Sequence, residues 1–474
     1  MAYRYGNRHQ RMLLPPSVEE YVPAAAPVRA YDAIVDRLDL AALGLAEDPG
    51  KEGCPQYDPR AMLKLLVYGY SYGVRSSRKL ERECHYNLSF IWLTGGLKPD
   101  HKTIAEFRRR QAGVLAGVLR AVAGVCLEIG LIEGNVLFVD GTGVGADAAR
   151  AHSWTQDKCE RALAQLGERI EALLAACAAA DEAEAGTESL VALRGELATA
   201  QGRQAAIEAV LGRLQATGRP SLNTTDGDCV RMHPDGGYAG YNGQLVVDDA
   251  HGLVVSGAVV AENNDSQQLA AQLARATETL ECAPGVVCSD AGYVDYEQIR
   301  QIDRAETDVI VPSRQQAGGR EPGPFDKRRF AYDAAADAYR CPAGQVLRCK
   351  GVDPKQKVRH YFAGAVCRTC PHFGVCTKNR RQGRKIKRYA HEAEREALER
   401  RFVEPDAQAI YARRKTRVEH PFGHIKHNLG VRRFLLRGLA GVQAEWSLLL
   451  AGFNIRRLIT LRGVPALRAL PTGC

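Results

Sequence analysis

The sequence predicts a mixed α/β core preceded by an all-α region and carrying two inserts, a helical hairpin and a small cysteine-rich segment. Three observations point there. NVLFVD at 135–140 and GVVCSD at 285–290 are short apolar runs that each end in an acid followed by small residues, as buried strands opening into turns do. YNGQLVVDD and LVVSGAVVA, separated by AHG, read as the two strands of a hairpin. On either side, apolar residues recur at helical spacing.

The elements follow in order. Residues 1–57 form an N-terminal extension. Residues 58–128 predict a helical DNA-binding domain: Asp58-Pro59 is a cap followed by a first-turn proline, Leu63, Leu66, Val67 and Tyr70 share one face, and Gly73 ends the helix. Further helices are expected from Ser76 or Ser77, at NLSFIWL, and over His101 to Gln111, with RSSRK and FRRRQ exposed. The core occupies 129–155 and 218–320. Between its halves, 156–217 is rich in Ala, Leu, Glu and Arg, with leucines at helical spacing broken by AADEAEAGTES, which predicts an antiparallel helical hairpin. SQQLAAQLARATETL predicts a helix and TDVIVPS a last strand. The cysteine-rich insert spans 321–390, and 391–474 is the helical C-terminal part of the core.

At 474 residues with 45% hydrophobic and 25% charged residues, the composition is that of a folded globular chain. The start, MAYRYGNRHQRMLLPPS, lacks an apolar region before a cleavage site, so export is not expected. VLAGVLRAVAGVCLEIGLI is interrupted by Arg120 and Glu128, and EWSLLLAGFNI is too short to span a bilayer. The expectation is a cytoplasmic protein without a membrane segment. The formal charge of +9 is modest but concentrated. In TKNRRQGRKIKRYAHEAEREALERR, from Thr377 to Arg401, ten bases outnumber four acids, and RRKTRVEHPFGHIKHNLGVRRFLLRG adds a second basic run. Two such runs flanking one acidic candidate site point to a polyanion partner.

Most of the 14 cysteines stand singly in apolar surroundings, as reduced core cysteines do. YRCPAGQVLRCKG at 339–351 and AVCRTCPHFGVCTK at 365–378 differ. Cys367-x-x-Cys370 has the spacing of a zinc knuckle, Cys376 follows, and Cys341 or Cys349 completes a tetrahedral thiolate set, with His360 and His372 as substitutes. Such a zinc site lets a small insert fold without much core and sets RRQGRKIKR against DNA.

Asp140 and Asp290 both stand at expected strand ends, where α/β sheets deliver side chains to a shared crevice. Carboxylates so placed suit a hard divalent cation. Phosphodiester chemistry with two cations about 4 Å apart calls for three or so such groups. Asp226, Asp228, Asp248, Asp249 and Glu419 compete for third place.

VLFVDGTGV, GGYAGYNGQLVVDDAHGLVV, VVCSDAGYVD and RRKTRVEHPFGHIKHNLGVRRFLLRG, in this order, resemble the DDE transposases of bacterial insertion sequences, and the N-terminal helices resemble theirs too. The resemblance spans about Asp58 to Leu458, apart from the helical hairpin. It implies an RNase H-like core with the first Asp on the first strand, the second after the fourth strand and the Glu on a later helix, which are Asp140, Asp290 and Glu419. It implies two Mg²⁺ or Mn²⁺ ions on these residues, and Cys341, in a Cys-Pro-x-Gly turn, as the fourth ligand of one structural zinc with Cys367, Cys370 and Cys376. Relatives carry Tyr and Arg before this Glu and Lys seven positions after it. Lys426 fills the Lys position, whereas Tyr411 and Arg414 lie one residue further upstream, and Pro421 is expected to kink or restart the helix.

The implied activity is cleavage at transposon ends followed by attack of the freed 3′-hydroxyl on target DNA, with terminal inverted repeats and target as partners and a homodimer in the synaptic complex. Arg75, Arg78, Lys79, Arg108, Arg109, Arg110, Arg384, Lys385, Lys387, Arg414, Lys426, Arg432 and Arg433 are the expected DNA contacts. Two other readings are a catalytically inactive zinc-containing DNA-binding protein derived from a transposase, and a related nuclease that cuts without joining.

Overall fold

The computed structural model describes residues 17–45, 56–182, 187–232, 237–319, 321–353 and 358–470. Residues 1–16 of the N-terminal stretch read above for export, residues 46–55 of the extension, and part of the break in the hairpin lie outside them. After a single turn at Val18–Tyr21, the N-terminal helices are α1 (Pro27–Arg37), α2 (Pro59–Ser71), α3 (Ser77–Tyr86), α4 (Leu88–Leu93), α5 (His101–Arg110) and α6 (Ala112–Glu128). Asp58 caps α2 as expected, its carboxylate accepting from the Arg60 and Ala61 amides ahead of Pro59. Asp100 caps α5 through the Thr103 amide.

Five strands make the core of the first sheet: β1 (Val136–Gly145), β2 (Ala239–Asp248), β3 (Val254–Val260), β4 (Val286–Cys288) and β5 (Asp308–Ile310). Their order is β3-β2-β1-β4-β5, with a short segment, Val230–Arg231, also pairing the start of β2. β2 runs antiparallel to β1 and β3, whereas β4 runs parallel to β1, and β5 parallel to β4. One expectation changes. β1 does not end at Asp140 but pairs with β2 as far as Gly145↔Gly240, so Asp140 lies within the strand. The glycines after the acid suggest a turn by composition, yet the long partner β2 supplies hydrogen bonds to carry them on.

Between β1 and β2 the hairpin is present as α7 (Gln156–Glu182) and α8 (Thr187–Thr217), with a small core of its own around Cys159, Ile207, Val210 and Leu214. α9 (Leu269–Leu280) follows β3. The cysteine-rich insert is more structured than expected. It holds a five-stranded antiparallel meander, β6 (Ala331–Asp333), β7 (Ala338–Arg340), β8 (Val346–Asp353), β9 (Val358–Phe362) and β10 (Lys385–Arg388), closed over Phe330, Tyr339, Leu347, Tyr361 and Ile386. The insert thus has an aromatic core of its own beside its cysteines.

The C-terminal helices are α10 (Glu392–Phe402), α11 (Pro405–Gly423) and α12 (Gly438–Arg468), the last broken at Gly463. α11 runs through Pro421 without restarting, and a π-helical turn, His424–Asn428, follows where the proline has removed an amide donor. α12 packs on α6, α1, α2 and β3, so the N-terminal helices and the sheet share one continuous hydrophobic core. Residues 58–128 are in that sense an integral layer of the molecule. Among the described residues no single helix is long and apolar enough to cross a membrane; α5 and α6 pass that test only as a pair bent by 78°.

α12 meets the sheet through buried polar groups. β3 pairs on one side with β2. On its other side the Asn454 amide donates to the Val254 carbonyl at 2.7 Å and accepts from its N–H at 2.8 Å, while Gln443 accepts from Val259 and donates to Gly257. Side-chain amides thereby satisfy an edge that would otherwise be open. Asn454→Ala leaves both Val254 groups unpaired in the core and is expected to lower stability by about 2–3 kcal/mol, read from urea unfolding of the two proteins. A wild-type midpoint would contradict this role.

Candidate active site

The register that pairs Val136 with Val286 and Phe138 with Cys288 brings Asp140 level with Asp290, each four residues beyond the first pair. Asp140 accepts from the Gly141 amide at 2.9 Å and, through its other oxygen, from Arg414 at 3.1 Å. Burial pushes its carboxyl up to about 6, opposed by the Arg414 guanidinium and reinforced by Asp290 and Asp265. Asp290 lies just past β4, where its carboxylate accepts from Gly292 and caps the turn Ala291–Tyr293. Tyr293 in that turn is buried, and its phenol is held neutral chiefly by burial, with Asp265, Asp140 and Asp290 adding to the effect.

Asp265 is a residue that sequence reasoning missed. It sits between β3 and α9, where NNDSQQL reads as an ordinary helix entry. Its Oδ1 accepts from the Asn242 and Gln244 side chains of β2 at 2.7 and 2.6 Å, and Gln244 in turn accepts from the Tyr293 hydroxyl. The signal was in the strand itself: Asn and Gln at alternate positions of the otherwise apolar YNGQLVV point to the same face.

Glu419 is not brought to this group. It lies on α11 with its side chain 64% exposed, and its carboxylate pairs with Lys415 one turn earlier, at 3.7 Å. The inward position next to it belongs to Val418, which is buried. The competing acids have other work. Asp248 accepts from Gly134 and Ala250, Asp249 pairs with Arg413 and Arg417, Asp226 accepts from Tyr241 and Gly438, and Asp228 accepts from Leu439. Among the described residues no three acidic, thiol or imidazole side chains already close on one point as metal ligands do.

The expected DNA contacts divide. Arg78, Lys79, Arg109, Arg110, Lys385, Lys387, Arg432 and Arg433 are exposed, although Arg109 and Arg110 both pair with Glu106. Arg75, Arg108 and Arg384 face inward. Arg75 pairs with the fully buried Glu445 of α12 at 2.6 Å, and Arg108 donates to Tyr70 and to the Arg75 carbonyl. Arg384 donates to the Cys376 and Phe325 carbonyls, bracing the insert. Lys426 is half-buried against Thr142, two residues beyond Asp140, and burial lowers its ammonium.

In the insert, Cys341, Cys367, Cys370, Cys376 and His372 line one small cavity. Backbone amides of Gln345 and Arg384 donate to the Cys341 and Cys367 sulfurs at 3.2 and 3.4 Å. Burial raises the Cys376 thiol, Arg384 opposes the rise, and Cys367, Cys341 and Cys370 add to it. Cys349 does not line that cavity; its thiol donates to Gly351.

Two family matches accompany this geometry. Residues 340–459 match the family described as Transposase DDE domain, and residues 16–110 match Transposase domain (DUF772). The first stretch contains Glu419 and the four cavity cysteines, and neither stretch contains Asp140 or Asp290. No curated protein and no solved structure matches the chain.

The raised Asp140 carboxyl gives a pH signature. Its folded value of about 6 exceeds the ordinary 3.8, so the folded chain holds a proton that the unfolded chain has released, and stability falls as pH rises from about 4 to 6. In metal-free protein, Asp140→Asn should therefore gain about 2 kcal/mol relative to wild type between pH 4 and pH 7.5, measured by urea unfolding at both. Curves that stay parallel would remove the buried-carboxyl account.

Proposed function

We propose that this chain, which its two family matches support as a DDE transposase of insertion-sequence type, cuts DNA at the ends of a mobile element and joins the freed 3′-hydroxyl to target DNA. The observation that carries the proposal is the placement of Asp140 on β1 and Asp290 just past its parallel neighbour β4, each two residues beyond the last paired position. The order β3-β2-β1-β4-β5, with Asp140 on the first core strand and Asp290 after the fourth, supports an RNase H-like core.

The donors fit a hard divalent cation. They are carboxylate oxygens, and the missing side chains at Gly141 and Gly292 let polar groups pack close to both acids, since a side chain at Gly141 would collide with Gln244 and Asp265 and one at Gly292 would start 2.9 Å from the Asp290 Oδ1. Asp140 and Asp290 would hold Mg²⁺ or Mn²⁺, with Glu419 as the third acid implied by family resemblance. When bound, two such ions activate the attacking oxygen and stabilise the leaving one. The chain's own groups do the rest. Arg414 balances the charge of Asp140. Lys426, beside Thr142, offers a desolvated ammonium to a DNA phosphate next to the acids. The exposed bases on α3, α5 and β10 and at Arg432 and Arg433 grip the backbone further out, while Arg75, Arg108 and Arg384 brace the elements that carry them.

One structural zinc on Cys341, Cys367, Cys370 and Cys376 completes the reading, supported by their shared cavity and by amides aimed at two of the sulfurs. Synapsis of two ends calls for a homodimer, which sedimentation of the end-bound complex reads out. The surface position of Glu419 favours one competitor, a DNA-binding protein that has lost catalysis.

Incubation with Mg²⁺ and duplexes carrying the element's ends separates these readings. Asp140→Asn, Asp290→Asn and Glu419→Gln should each lower cleavage at least about 100-fold, or ~3 kcal/mol of transition-state stabilisation, while end binding persists. Wild-type cleavage in any of them would remove that residue from the set, and binding without cleavage by the wild type would favour the inactive reading. Metal analysis should find about one zinc per chain, and a folded, active preparation without zinc would sink that assignment.

A further inference from the structure

We infer that Asp265 is a carboxylate ligand of the divalent cation alongside Asp140 and Asp290, a role that rests on the metal-dependent reading above. The three acids come from three different places in the sequence and meet around two glycines. A Cβ on Gly141, next to Asp140, would fall 2.4 Å from the Asp265 Oδ1. A Cβ on Gly292 would fall 2.9 Å from the Asp290 Oδ1 and 3.8 Å from the Asp265 Oδ2. The Asp265 carboxylate therefore lies over the Asp140 strand and shares open space with Asp290.

Its orientation is fixed on one side only. Oδ1 receives both amide donors, from Asn242 and Gln244, and those side chains are buried in β2. This leaves Oδ2 directed toward the Asp290 side. A neutral asparagine would accept the same two hydrogen bonds, so scaffolding alone does not require an acid here. An acid adds a third negative charge to a site where Arg414 is the cation bound to Asp140, and three such charges are stable together when a cation joins them.

The test is a titration of the full-length, DNA-free protein with Mn²⁺, following free Mn²⁺ by electron paramagnetic resonance. Asp265→Asn should weaken binding about tenfold or more with little change in melting temperature, whereas Asp249→Asn, whose acid serves Arg413 and Arg417, should bind like wild type. Asp265→Asn binding Mn²⁺ as tightly as wild type overturns the inference and leaves the reading of Asp140 and Asp290 standing. A wild type that takes up no Mn²⁺ overturns both. If Asp265→Asn does not fold, the wild type itself decides: Fe²⁺ with ascorbate cuts backbone beside a bound ion, and fragments should end near Asp140, Asp265 and Asp290. Cuts near the first and last without one near 265 overturn the inference.

Discussion

The structure depends on how α12 is fastened to the open side of β3. Asn454 and Gln443 satisfy the backbone groups of that edge, Trp446 donates to the Gln244 carbonyl of β2, and the buried Glu445 takes Arg75 together with the Leu435 and Leu436 amides. A charge such as Glu445 is tolerated in a core when both of its oxygens are hydrogen-bonded, and its partners here come from distant parts of the chain. The N-terminal helices, the sheet and the C-terminal helix therefore form one unit. The consequence reaches the acids, because Gln244, whose carbonyl Trp446 fixes, uses its side chain to join Asp265 to Tyr293 in the Asp290 turn.

The electrostatics of the site follow from that rigidity. The pairing of β1 with β4 as far as Phe138↔Cys288 sets both acids two residues beyond the last pair, and burial of Asp140 makes its charged form costly. Arg414 eases this from one side and Lys426 stands near from another. A polyanionic substrate and divalent cations suit such a place, since each supplies the charge that the other lacks.

Much of this was legible in the sequence. The two apolar runs that end in Asp140 and Asp290 are strands as expected, although β1 continues past its acid, and the hairpin and helices were legible because their periodicities are long. The features that stayed hidden depend on partners far away in sequence. Nothing local distinguishes Arg75 and Arg108 from Arg78 and Arg109, since Glu445 and Tyr70 decide which are buried. Asp265 stands in an ordinary helix entry by sequence, and only Asn242 and Gln244, far away in the chain, set it apart. The sheet of the insert was masked by strands of three to eight residues broken by Gly and Pro, too short for alternation to register. For the fourth cysteine, the Cys-Pro-x-Gly turn pointed to Cys341, which lines the cavity while Cys349 does not.

The central claim is that the acids at Asp140 and Asp290 both open DNA and rejoin it elsewhere. Strand transfer with precut ends tests it most directly: the wild-type protein, Mg²⁺, a duplex ending in the exposed 3′-hydroxyl of the element, and a supercoiled target plasmid. The account predicts end-labelled DNA covalently joined to the plasmid. Efficient cutting of intact ends with no joined product from precut ones would contradict it and leave a nuclease in its place.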